Sequence, residues 1–104
     1  MSKRQLMLEK LTSEGSKDPF HWYALALEYS GADRIDDAAR TFTELRRIDE
    51  GYVPMYLMCG TMLAKAGRTA EAREWLEAGM TAARAKGDDH ALSEIEQALA
   101  ALPR

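Results

Sequence analysis

Few residues in this chain are of the types that do chemistry, and their spacing limits what each can do. Cys59 is the only cysteine. A thiol becomes a nucleophile when a nearby base or cation holds it as thiolate, and no histidine stands near Cys59 in the sequence, so it reads as a core thiol. His21 and His90 each stand alone near an expected helix start. Neither has the His-x3-His spacing or the cysteine pair that builds a zinc site, and both read as surface groups. The run Gly60-Thr61-Met62-Leu63-Ala64-Lys65-Ala66-Gly67-Arg68-Thr69 is superficially similar to a phosphate-binding loop, but six residues separate its glycines instead of four, Arg68 replaces the lysine, and no strand precedes it. Asp33, Asp36 and Asp37 lack the glycine and terminal glutamate of a calcium loop, and acidic side chains at a helix start are explained by the helix dipole. With no acid, base and nucleophile converging, the expectation is a protein that is not an enzyme and uses no metal and no cofactor.

The elements that must position these residues follow from composition and pattern. The chain has 104 residues, 46% hydrophobic and 30% charged, enough apolar material for one packed domain spanning 1–104. Lys plus Arg number 14 against 17 Asp plus Glu, which argues against nucleic acid as a partner. No run approaches a membrane span, no export signal follows Met1, and a single cysteine closes no disulfide within the chain; a cytoplasmic protein without membrane contact is expected.

Start and stop signals divide the chain into helices. Ser2 with Gln5 has capping-box spacing, Asp18-Pro19 supplies an N-cap and a first-turn proline, and Asp88 can cap the last segment. Gly15, Gly31, Gly51, Gly67 and Gly87 are expected to end helices as left-handed residues. The helices are placed at about 2–14, 19–30, 34–49, 53–66, 69–86 and 88–101, and no segment alternates long enough to form a strand.

These segments repeat with a period of 34. Trp22 recurs as Tyr56, Leu25-Ala26 as Cys59-Gly60, Tyr29 as Leu63, Ala38 as Ala72 and Phe42 as Leu76. Identical residues are few, and the likeness lies in size and polarity, which is what packing needs. The pattern Trp22-x2-Leu25-Ala26-x2-Tyr29 then Ala38-x3-Phe42, and again Tyr56-x2-Cys59-Gly60-x2-Leu63 then Ala72-x3-Leu76, resembles the tetratricopeptide repeat. The repeats run over about 18–51 and 52–85. The chain departs from the family where Glu50 and Arg84 replace the closing proline, which lets the fifth helix run on toward Lys86, and where Leu45 stands at a place usually held by alanine.

The resemblance implies an all-α fold, a right-handed superhelical stack of antiparallel helical hairpins with capping helices at both ends. Small residues at 26, 38, 60 and 72 sit where helix axes come closest, and the same reason keeps Gly60 and Gly79 inside helices. The first helix is expected to cap through Leu6, Met7 and Leu11, and the last through Leu92, Ile95, Leu99 and Leu102. Counting 34 on from Tyr56 reaches His90 and then the polar pair Ser93-Glu94, so the last helix is expected to cap with a rotated apolar stripe. Met55, Met58 and Met62 share one side of the fourth helix and read as core by default, or else as an adaptable contact surface.

The resemblance also implies a working surface, since the first helix of each pair lines a groove in this family. Carried over, that face comprises Phe20, Tyr23, Ala24 and Leu27 from the first repeat and Leu57, Met58, Thr61 and Lys65 from the second. Some members grip a partner's terminal carboxylate with Lys and Asn, and this chain contains no asparagine. An apolar groove ending in Lys65 suits a partner's amphipathic helix or apolar peptide, making the protein a non-enzymatic interaction module and adaptor. The alternatives are that the protein's own first helix covers these residues, a self-associating structural homodimer, through this groove or through Trp75 unless Trp75 simply packs on the last helix, and more remotely a small-ligand-binding protein or enzyme.

Overall fold

The computed structural model describes residues 2–104. Among them are six helices and no strand: α1 (Lys3–Ser13), α2 (Pro19–Gly31), α3 (Ile35–Ile48), α4 (Val53–Lys65), α5 (Thr69–Lys86) and α6 (Asp89–Ala100). The chain divides into two compact units, one through Asp49 and one of Glu50–Arg104.

The expected caps are made. Ser2 Oγ accepts the Gln5 N–H at 2.9 Å, Asp18 Oδ1 the Phe20 N–H at 3.0 Å, and Asp88 Oδ1 the Ala91 N–H at 3.0 Å. The helix ends use a common device, but not always with glycine. Gly15, Gly67 and Gly87 are left-handed, with φ of +86°, +79° and +67°. Gly31 instead is the last residue of α2, and Gly51 has no positive φ; after α2 the left-handed position belongs to Asp33, at φ 62°. Aspartate tolerates this region better than most residues with a Cβ. In all four turns the next residue's N–H (Ser16, Arg34, Arg68, Asp88) returns to the carbonyl of Leu11, Tyr29, Leu63 or Ala83 at 3.1, 2.9, 2.9 and 2.9 Å, satisfying carbonyls the helix end leaves open.

In the first unit α2 packs on both α1 and α3. Ala26, Ala38, Phe42 and Leu45 are fully buried, and Leu8, Ala24 and Leu25 form a cluster joined by Tyr29. Trp22 Nε1 donates to the Ser16 carbonyl at 2.7 Å, which gives the indole's polar edge a partner. Tyr29 OH donates to Glu9 Oε2 at 2.5 Å under the Arg34 guanidinium, 4.6 Å from the ring; burial and then Glu9 raise the phenol to about 12. The capping face of α1 differs from the one expected. Leu6 and Met7 are exposed and Leu11 is half-buried, whereas Gln5, Leu8 and Thr12, which share one helical stripe, are buried. Thr12 Oγ1 returns to the Leu8 carbonyl at 2.9 Å, while Gln5 Nε2 is buried with no hydrogen-bond partner. Leu8 stands 34 residues before Phe42, as Phe42 does before Leu76, and all three are buried. α1 thus takes the register of the second helix of a hairpin.

In the second unit α5 packs on α4 and α6, and α4 also meets α6. The close approach rests on glycine. A Cβ at Gly60 would lie 2.6 Å from Leu76 Cγ, and one at Gly79 would lie 2.6 Å from Tyr56 Cβ and 3.1 Å from Ile95 Cδ1. Tyr56 OH donates to the Glu50 carbonyl at 2.5 Å, the same six-residue reach that Trp22 makes to Ser16. Val53, Leu76, Ala83 and Ile95 form the core, with Leu92, Leu99 and Leu102 packed around it, as expected for the last helix. As expected, its apolar stripe is rotated from the 34-residue count: His90, Ser93 and Glu94 are exposed. Val53 lies 34 residues beyond Pro19, but Asp89 lies 36 beyond Val53, because α5 runs on to Lys86 without a proline to stop it. Counted this way, Leu92, Ile95 and Leu99 repeat the spacing of Tyr56, Cys59 and Leu63. After a two-residue slip α6 therefore takes the register of a first helix.

The methionines of α4 also divide. Met55 and Met62 are buried, and Met58, turned about 60° around the helix from Met55, is exposed.

Candidate functional site

The residues expected to face a partner lie on α2 in one unit and on α4 in the other, and each face is described separately. On α2, Phe20 is 53% exposed, directly after the Asp18-Pro19 start that fixes its backbone. Tyr23 and Leu27 are half-buried on the same side. Ala24 is not available: it packs with Leu8 of α1 in the apolar cluster. The first helix therefore covers this part of the expected face.

On α4, Met58 is 39% exposed and Lys65 is exposed at the helix end. Leu57 is half-buried and packs against the core cluster that contains Ile95 of α6. Thr61 Oγ1 donates to the Leu57 carbonyl at 2.8 Å. Thr61 and Lys65 border a cavity of about 320 Å³ completed by Ala64, Leu76, Ala98, Ala101, Leu102 and Pro103. Arg73 Nη2, donating to the Pro103 carbonyl at 3.2 Å, holds the last residues over it. The cavity wall is aliphatic, with one ammonium at its rim, and hydrogen-bonding side chains are scarce. Chemically it can bury methyl and methylene groups and attract a negative charge at one end.

A second cavity, of about 530 Å³, lies in the first unit between Thr12, Gly15, Ser16, Lys17, Trp22, Glu44, Arg47 and Ile48. Sequence reasoning did not find it, because its lining comes from a loop and from two helix ends that only the fold brings together. Arg47 Nη2 binds Glu44 Oε2 at 2.7 Å across its edge, so opposite charges there satisfy each other.

Other residues singled out in the sequence fall as follows. Cys59 is fully buried and forms no disulfide. His90 is exposed, 3.4 Å from Glu94. His21 is not a simple surface group: its ring is half-buried, with Nδ1 2.7 Å from Ser16 Oγ and Nε2 3.7 Å from Asp18. Asp36 and Asp37 occupy the first turn of α3, and Asp37 bonds Arg34 Nε at 2.8 Å and also binds Arg40. Among the described residues no group of three or more His, Cys, Asp or Glu could hold a metal, and no helix is long and apolar enough to cross a membrane. Trp75 is buried, its ring 5.9 Å from that of Tyr56, so it is a packing residue and not an outward contact.

No family model matches the sequence, and no curated protein matches it. Solved structures do. A crystal structure of a tetratricopeptide repeat domain protein from Salinibacter ruber is 35% identical, covers 79% of this chain and 92% of its own, and superposes with a TM-score of 0.71. A solution structure of a tetratricopeptide repeat domain protein from the same organism gives 35% identity, 79% and 83% coverage and a TM-score of 0.73. A solution structure of a Bordetella parapertussis protein, 24% identical, covers 95% of this chain and 86% of its own with a TM-score of 0.79, a likeness of fold alone.

Proposed function

Because the chain belongs to the tetratricopeptide repeat family, a protein-binding scaffold, we propose that it is a non-enzymatic adaptor. Its partner is another protein, which offers an apolar peptide or one face of an amphipathic helix. The observation that carries this reading is the exposure of large apolar side chains on the first helix of each repeat, Phe20 on α2 and Met58 on α4. Water-exposed phenylalanine and methionine gain by burial against a partner. Methionine adapts to different side chains, which suits a surface that reads hydrophobicity more than polar detail. Tyr23, Leu27, Leu57 and Thr61 flank these two, half-buried, and Lys65 adds one positive charge. With so little polar readout, affinity for a short peptide is modest.

The test selects amphipathic helical peptides from a displayed library on the intact protein and measures their affinity for Phe20→Glu and Met58→Glu. Both positions are solvent-exposed, so helical circular dichroism is expected to persist. Each variant is expected to weaken binding about tenfold or more, the loss of one buried apolar side chain. Unchanged affinity in both variants places the interface elsewhere.

A further inference from the structure

We infer that the aliphatic cavity between α4, α5 and α6 binds a free medium-chain carboxylic acid, with its alkyl chain against the alanine-rich wall and its carboxylate beside Lys65 at the rim. The site lies within the second unit and does not rest on the adaptor reading, although Thr61 and Lys65 border both surfaces.

The wall selects an alkyl chain. Ala64 of α4 and Ala98 and Ala101 of α6 leave space that longer side chains would fill, and Leu76 and Leu102 continue the apolar lining. Arg73, through its bond to the Pro103 carbonyl at 3.2 Å, fixes the residues after α6 at one side. Water gains little here, because a water held in a cavity needs about two to four polar partners. The one hydroxyl of the lining, on Thr61, already donates to the Leu57 carbonyl at 2.8 Å. Carbonyls at the ends of α4 and α6 are taken as well: those of Leu63 and Ala64 accept the Arg68 and Gly67 N–H groups at 2.9 and 3.0 Å, and those of Gln97 and Leu99 accept the Ala101 and Leu102 N–H groups at 3.1 Å each. Methylenes that displace such water release it to better partners. Size sets the chain length. If each non-hydrogen atom fills about the volume of one water, about 30 Å³, then about ten atoms occupy the cavity of about 320 Å³, the size of an eight-carbon acid. A membrane lipid with two chains does not fit.

Charge selects the headgroup. Lys65 is the one ionisable side chain of the lining, and no carboxylate shares the lining with it. α4 itself carries no Asp or Glu. The cavity of the first unit differs in this respect, since Glu44 there already binds Arg47. The ends of α4 and α6 place partial negative charge nearby, which opposes the full charge of the ammonium only in part. A single ammonium matches a single carboxylate, whereas a phosphate ester brings a charge of about −1.5 to −2 and is left half-neutralised. Because Lys65 is exposed, the ion pair adds selectivity more than affinity, and the alkyl chain supplies the binding.

Titration of the full chain with sodium octanoate, followed in amide correlation spectra, tests this. Saturable shifts are expected at Ala64, Lys65, Ala98 and Leu102, with a dissociation constant of about 1 mM or below for a ligand of this size. Octylammonium has the same chain and the opposite charge. It is expected to bind about threefold to tenfold more weakly, even though the protein's net charge of -3 favours a cation. Lys65→Glu is expected to reverse that order. Hexanoate is expected to bind about fivefold more weakly than octanoate, while decanoate gains about twofold or less because its tail leaves the cavity. Ala64→Leu, which fills the wall, is expected to abolish the saturable shifts; Ala101→Phe, at an exposed position, replaces it if helical circular dichroism is lost. No saturable shift by about 10 mM octanoate overturns the proposal. So does octylammonium binding as tightly as octanoate, octanoate binding undiminished in the filled variant, or saturable shifts confined to residues outside the lining.

Discussion

The hairpin of α2 and α3 and the hairpin of α4 and α5 distribute bulk differently along the same frame. In the first, Trp22, Thr41 and Leu45 stand where the second has Tyr56, Trp75 and Gly79. Leu45 is fully buried in its hairpin, whereas Gly79 lets its own helix approach Tyr56 until there is no room for a Cβ. The indole moves from the first helix to the second, and the leucine is given up in exchange for a closer crossing. What the two repeats share is filled volume, since interiors tolerate redistributed side chains better than altered total volume. The polar ends of the aromatics follow the same rule: Trp22 and Tyr56 both donate to a carbonyl six residues earlier, although one donor is an indole N–H and the other a phenol.

The comparison can be broken most severely at the end of the second unit. A chain ending at Gly87 loses Ile95, Leu92, Leu99 and Leu102 and uncovers Val53, Leu76 and Ala83. Several buried side chains at about 1.5–3 kcal/mol each are at stake. The expected outcome is loss of a cooperative thermal transition, with aggregation visible by light scattering. A truncated chain that melts like the parent would mean that the second hairpin needs no cap.

A smaller effect separates the two glycines. Gly79→Ala forces a methyl onto Tyr56 Cβ, which is tied to the backbone, and is expected to cost about 1–3 kcal/mol in denaturant unfolding even after the gain in helix propensity. Gly60→Ala meets the Leu76 side chain, which can rotate, at the place where the first hairpin already holds Ala26; its cost is expected to be lower. The reverse order would remove the volume argument.

The smallest test concerns the turns. Asp33 and Gly67 occupy equivalent left-handed positions. Asp33→Gly is expected to stabilise by about 0.5–1 kcal/mol, and Gly67→Asp to destabilise by a similar amount. Equal thermal midpoints for parent and both variants would mean that the Asp33 side chain compensates for its backbone.

The helix boundaries were legible because capping and stopping are local. Ser2, Asp18 and Asp88 act on amides two or three residues away, and all six helices lie within a residue or so of the positions those signals indicate. The 34-residue period was legible for the same reason, and with it the family. The buried face of α1 was not. Leu6 and Met7 look like core residues from composition, but the face that meets α2 carries Gln5, Leu8 and Thr12, and only the neighbouring helix selects it. The faces of α2 and α4 were legible only in part: Phe20 and Met58 are exposed, but Ala24 is covered by α1 and Leu57 leans on the α6 cluster.

The sequence by itself determined six helices, their ends and a twice-repeated pattern of large and small residues, because each depends on residues within a turn or on a fixed interval along the chain. Tertiary structure alone decided which stripe of α1 is buried, that α6 keeps the repeat register after a two-residue slip, and that Trp75 is core. Those outcomes depend on which helix lies alongside, and on how far α5 extends before the chain turns back. A helix has several faces that look plausible in isolation, and the neighbour that removes one of them from water is what selects among them.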